Sequence, residues 1–279
     1  MGALFALASA LLYGLVDFAG GRLARRVDGF TLALPVQCAG FLCMLMLAVA
    51  VGGTPAWPAL CWGLLSGVGS GIAIMFLYRA MGCGKISLVV PLTAVVGAAL
   101  PVVLALLLGE RPGPWVLAGL AAVPLAVALI VRGPVAATAT AGPTGTAGRN
   151  AFYAGLGVAL QYAAIAHAPE SGGMWPMAAN RLASVGVVWA GVHAAGVASW
   201  PPRRHVGTAA WLGLLASLSL ALYLLSTRLM PLSVAVVLAS LYPLVPVLLG
   251  LMVLRERLSA QQWSGVAVAM VAICLIVSH

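Results

Sequence analysis

SLVVPLTAVVGAALPVVLALLLGERPGPWVLAGLAAVPLAVALIV, residues 87–131, and SVAVVLASLYPLVPVLLGLMVLRERLSAQQWSGVAVAMVAICLIV, residues 233–277, overlay without a gap at a constant offset of 146 residues. The register pairs Ser87 with Ser233, Glu110-Arg111 with Glu256-Arg257, Gly119 with Gly265 and Leu129-Ile130-Val131 with Leu275-Ile276-Val277. Leucine and valine coincide by chance in any two apolar helices. An acid-base dipeptide that closes one apolar run at the same distance from a glycine in the next is a stronger signal, and it marks the chain as a duplicated unit.

Composition says what is duplicated. The 279 residues are 63% hydrophobic and 7% charged, with a mean hydropathy of +1.12, whereas a soluble domain carries about a quarter charged residues. The chain therefore belongs in a bilayer. A net charge of +9 would suggest nucleic acid in a soluble protein, but here the basic residues are scattered among the connections between apolar runs. There they act as topology signals and headgroup anchors. Cys38, Cys43, Cys61, Cys83 and Cys274 show no C-x-x-C spacing, and cysteine inside an apolar run behaves as a small hydrophobe, so no disulfide and no metal are expected. Ala8-Ser9-Ala10 resembles a signal-cleavage site, yet no basic segment precedes it and the apolar run continues past it. It reads as part of the first membrane helix.

About 20 mostly apolar residues cross the hydrocarbon layer. Ten segments qualify: residues 2–23, 30–51, 57–79, 86–108, 114–131, 152–168, 174–198, 208–228, 233–254 and 262–277. The expected fold is an all-α membrane protein with ten transmembrane helices in two five-helix repeats, residues 1–132 and 151–279. An Ala/Thr/Gly/Pro-rich flexible linker at 133–150 joins them. An odd number of crossings per repeat makes the second copy enter from the opposite side, so the repeats are inverted in topology. Repeats related by a pseudo-two-fold axis in the membrane plane give two near-equivalent conformations open to opposite sides, with a site near the midplane. That is the geometry of alternating access.

The odd-numbered connections carry Arg22, Arg25, Arg26, Arg79, Lys85, Arg132, Arg149, Arg203, Arg204, Arg255 and Arg257, against Arg111 and Arg228 in the even ones. Short cytoplasmic loops are the basic ones. This count places both termini outside.

Tyr13-Gly14, Asp17-Phe18-Ala19-Gly20-Gly21 and the segments PLTAVVGAALPVVLALLLGER and LYPLVPVLLGLMVLRER resemble the EamA branch of the drug/metabolite transporter superfamily, over essentially the whole chain. The resemblance implies a small-molecule carrier, as known members export amino acids, other metabolites or drugs. It also implies cytoplasmic termini, opposite to the charge count. Taken together, the expectation is a secondary transporter of the inner or plasma membrane that exports amino acids or related metabolites, as a monomer or homodimer. Its partners would be a small solute, lipid and, unless transport is uncoupled, protons, with no nucleic acid and no cofactor. Export of drugs or other amphipathic solutes is the alternative. A non-transporting scaffold or sensor is disfavoured by the duplication, and an enzyme by the lack of any acid, base or metal cluster at a helix end.

Arg181 is the one basic residue well inside an apolar span, and such an arginine costs at least about 2.5 kcal/mol unless it faces protein or a wet cavity. It could hold a substrate carboxylate in bidentate fashion or cap carbonyls freed by Pro176. Gln37 is its repeat counterpart, since each follows a helix-opening proline, Pro35 or Pro176. Tyr13 and Gln161-Tyr162 lie in equivalent first helices and could face one another across the pseudo-axis, or sit at the interface. Asp17, one turn after Tyr13, is either a protonatable coupling group or a helix-end acid paired with Arg22, Arg25 or Arg26. Glu110 and Glu256 suit structural pairing or gating. Pro91, Pro101, Pro243 and Pro246 lie mid-helix, where they weaken the backbone ladder and mark hinges. Gly63, Gly67, Gly69 and Gly71 read as a close-packing face, although GVGSG superficially suggests a nucleotide loop.

Overall fold

The computed structural model describes residues 1–107, 113–131, 144–230, 232–239 and 241–277. Among them every regular element is helical: α1 (Gly2–Ala24), α2 (Gly29–Val51), α3 (Trp57–Cys83), α4 (Ile86–Leu107), α5 (Pro114–Val131), α6 (Thr144–Ile165), α7 (Trp175–Ala194), α8 (Arg203–Leu229), α9 (Leu232–Ala239), α10 (Leu244–Met252) and α11 (Ala260–Val277), with one 3₁₀ turn at Glu170–Gly172. Five stretches are both long and apolar enough to cross a membrane: Gly2–Ala24, Gly29–Val51, Trp57–Cys83, Arg203–Tyr223 and Ala260–Val277. The expected Glu110-Arg111 pair and residues 133–143 of the expected linker lie outside the described residues.

Local chemistry explains the helix ends. Asp28 caps α2, its Oδ1 accepting from Phe30 N at 2.9 Å, and Gly52 ends it at φ 81°, a conformation that suits glycine. Ser259 and Gln262 form a reciprocal capping box at α11: Gln262 N donates to Ser259 Oγ at 3.2 Å and Ser259 N to Gln262 Oε1 at 3.1 Å.

Two expectations need correcting. The single helix expected at 233–254 is interrupted by a turn at 241–243, leaving α9 and α10 as separate pieces. Pro243 has no N–H to donate one turn back, and it serves instead as the N-cap of α10. Pro91, by contrast, lies buried within a continuous α4. The other difference is that α6 starts at Thr144, inside the expected linker. Its first turns are held by packing, with Ala147 seated against Gly84.

The packing pattern repeats itself. Helix α3 lies along α6 and α7, as α8 lies along α1 and α2; α4 meets α6 as α9 and α10 meet α1; α2 packs on α7 and α5 on α11. The glycines follow suit. A Cβ on Gly67 would strike the Asn180 carbonyl, and one on Gly213 the Val36 carbonyl. One on Gly119 would lie 2.9 Å from Leu275 Cβ, and one on Gly265 2.9 Å from Leu129 Cβ. Glycine lets backbones approach closely, the usual way in which membrane helices gain van der Waals contact.

The connections gather at two ends. At one, Arg25 Nη2 meets Glu256 Oε1 at 2.5 Å and Lys85 Nζ donates to the Arg257 carbonyl at 2.5 Å, while Thr31 Oγ1 donates to Ala198 O at 2.7 Å. At the other, Thr54 N donates to Ser171 O at 3.1 Å, and Gly2 abuts Met230.

Candidate functional site

A cluster of buried polar side chains forms where α2, α3 and α7 meet. Gln37 on α2 is 0% exposed. Its Nε2 donates to Ser184 Oγ on α7 and, at 3.4 Å, to Ser70 Oγ on α3, which orients the amide so that Oε1 accepts from Arg181 Nη1 at 2.6 Å. A Cβ added at Gly40 would lie 3.6 Å from Arg181 Nε, so the guanidinium lies along a side-chain-free stretch of α2. No acid pairs with it among the described residues. No fully covered side-chain nitrogen or oxygen lacks a partner there, so the remaining guanidinium N–H groups are incompletely covered by protein.

A second polar chain lies beside the first. Asn180 Nδ2 donates to Ser66 Oγ at 2.8 Å, and that hydroxyl donates to the backbone carbonyl of Gln161 at 2.9 Å. Tyr162 follows on α6 and is 58% exposed; Tyr13 on α1 is 39% exposed. Each lies within electrostatic range of Asp17, and Tyr13 also of Tyr162 and Arg181. Tyr13 thus lies within reach of both Asp17 and Arg181, and Tyr162 within reach of Asp17 and Tyr13. Tyr13 meets Tyr242 edge-on, with centroids 5.1 Å apart and planes at 80°, an arrangement that ring quadrupoles favour.

The expected residues are thus gathered but not alike. Arg181, Tyr13 and Tyr162 are incompletely covered by protein, and Gln161 is half-buried with its backbone in a polar chain. Gln37 is sealed off, its amide oxygen and nitrogen both taken by protein, so in this conformation it positions Arg181 and does not touch a solute. Asp17 makes no ion pair with Arg22, Arg25 or Arg26; Arg25 is engaged by Glu256. Pro243 and Pro246 flank the start of α10, and the Pro101 side chain lies outside the described residues. Sequence reasoning missed Ser70 and Ser184. Ser184 follows Arg181 by three residues, on the same helix face, and that spacing was the available signal.

Residues 150–278 match the EamA-like transporter family. A crystal structure titled only as that of a protein superposes with a TM-score of 0.59, covering 98% of this chain and 95% of that one at 18% identity, a likeness of fold alone. No curated protein matches the chain.

Proposed function

We propose that this chain, a multi-pass membrane protein whose second half carries the EamA-like transporter match foreseen from its motifs, is a secondary carrier of small organic solutes. It works by alternating access across ten membrane crossings arranged as two inverted five-helix repeats. Three features support that architecture: the gapless 146-residue register, the mirrored helix pairings and the mirrored glycine contacts. The self-paired helices α2 and α7 flank the pseudo-axis. On them the equivalent residues Gln37 and Arg181 meet.

The observation that carries the solute assignment is Arg181. It is a guanidinium in the interior with one donor fixed by Gln37, no acid paired with it among the described residues and its other donors incompletely covered. A planar fork held that way suits a carboxylate. Tyrosines 13 and 162 offer ring surface for the solute's apolar part. Amino acids and related metabolites have both features, and the resemblance to exporters of that family supports outward transport across the inner or plasma membrane. Coupling, where present, is to protons, with Asp17 as the acid free to carry one. The prolines around 243–246 and in α4 are the bending points.

Purified protein reconstituted in liposomes loaded with a mixture of the common amino acids should release a subset of them faster than empty liposomes do, as read by mass spectrometry of the external medium. Release no faster than from protein-free liposomes would favour the scaffold reading.

A further inference from the structure

Asp17 is 4% exposed and makes no hydrogen bond or ion pair among the described residues. Because no fully covered side-chain oxygen lacks a partner there, its small exposed part is the carboxylate. A buried carboxylate without a cation is costly, and helix α1 supplies none near it: Arg25 is bound to Glu256 at the helix end.

Aromatic groups surround this acid on its own helix face. Tyr13 lies one turn before Asp17 and Gly20 one turn after, both on the same side of α1. A Cβ on Gly20 would sit 2.9 Å from Tyr78 Oη, so the absence of a side chain at 20 lets the Tyr78 hydroxyl reach the acid's turn. Tyr78 is 1% exposed, its hydroxyl has no hydrogen-bond partner among the described residues, and it lies within electrostatic range of Asp17. On the other flank Tyr242 packs edge-on to Tyr13, its backbone carbonyl pressed against Gly14.

We infer that Asp17, together with Tyr13, Tyr78 and Tyr242, is a recognition pocket for an ammonium group of the transported solute. A carboxylate supplies the counter-charge and phenol rings attract a cation through their quadrupoles. Arg181 lies within electrostatic range of the same Tyr13 and Tyr78. Resting on the carrier reading above, the site then has two poles, with the solute's carboxylate on Arg181 and its ammonium on Asp17, and its ligands are zwitterions.

Isothermal titration of the purified protein with L-leucine and with 4-methylpentanoate, the same carbon skeleton without the amine, tests this. The wild type binds leucine roughly tenfold or more tightly than the acid, the scale of one charge-assisted contact. Asp17→Asn removes that preference by weakening leucine and leaving 4-methylpentanoate unchanged, and Asp17→Glu restores part of it. Arg181→Gln weakens both probes. Equal affinity for the two probes in the wild type, an unchanged preference in Asp17→Asn, or no binding of either probe overturns the proposal. Loss of the Arg181 effect with the leucine preference intact removes the carboxylate pole and leaves the ammonium pole standing.

Discussion

Gln37 Oε1 and Arg181 Nη1 are 2.6 Å apart, and the amide that makes this contact is held from behind by Ser184 and Ser70. A neutral residue on α2 thus aims a charged one on α7. Replacing Gln37 by Glu keeps size and shape but gives Arg181 a permanent counter-charge. Affinity for carboxylate solutes should fall roughly tenfold or more, while thermal stability stays near wild type. Binding titrations paired with melting curves check this.

Glu256 ties the last loop to the start of α4. Its carboxylate accepts from Ile86 N and Ser87 N at 3.0 Å each and from Ser87 Oγ at 2.6 Å, and it pairs with Arg25. It therefore caps the positive end of α4 from the other half of the chain. Glu256→Ala leaves those donors to water and should cost about 2 kcal/mol or more. In a chain of this size that is a fall in Tm of about 4–8 °C.

The fold was legible where side-chain chemistry repeats. Gly119 and Gly265, which the 146-residue register pairs, each meet the Leu-Ile pair of the other aligned segment. The break before α10 was not legible, because Pro91 and Pro243 look alike in sequence, yet α4 runs on through the first while the second stands at the start of a new helix. Gln37 illustrates the limit for the site. Its position was readable, but whether it touched solute or Arg181 depended on helix rotation, which no letter encodes. Asp17 was read as a choice between titration and pairing with a nearby arginine, and only three-dimensional placement showed Arg25 committed elsewhere.

Close helix approach predicts which glycines tolerate a methyl group. Gly67→Ala and Gly213→Ala each drive a Cβ into a backbone carbonyl and should destabilise by about 1–3 kcal/mol. Gly186, within α7 and with nothing within 4 Å of an added Cβ, should accept alanine with no loss and up to about 1 kcal/mol of gain. Size-exclusion yield of fluorescent fusions after heating separates the three.

The connections that meet at the Arg25–Glu256 end are the basic ones, which on the charge rule face the cytoplasm. Met1 and the end of α11 then face outside. A C-terminal fusion to a reporter active only outside the cytoplasm, such as periplasmic alkaline phosphatase, should be active. A brightly fluorescent C-terminal green fluorescent fusion would reverse the orientation without touching the fold.

Counterflow tests the central claim most directly. Proteoliposomes preloaded with unlabelled L-leucine and diluted into trace labelled L-leucine should accumulate label transiently with wild-type protein. Arg181→Gln, reconstituted to the same level of folded protein, should accumulate at least about tenfold less. Equal accumulation by the two proteins, or none above protein-free liposomes for the wild type, would contradict a carrier that holds its solute on Arg181.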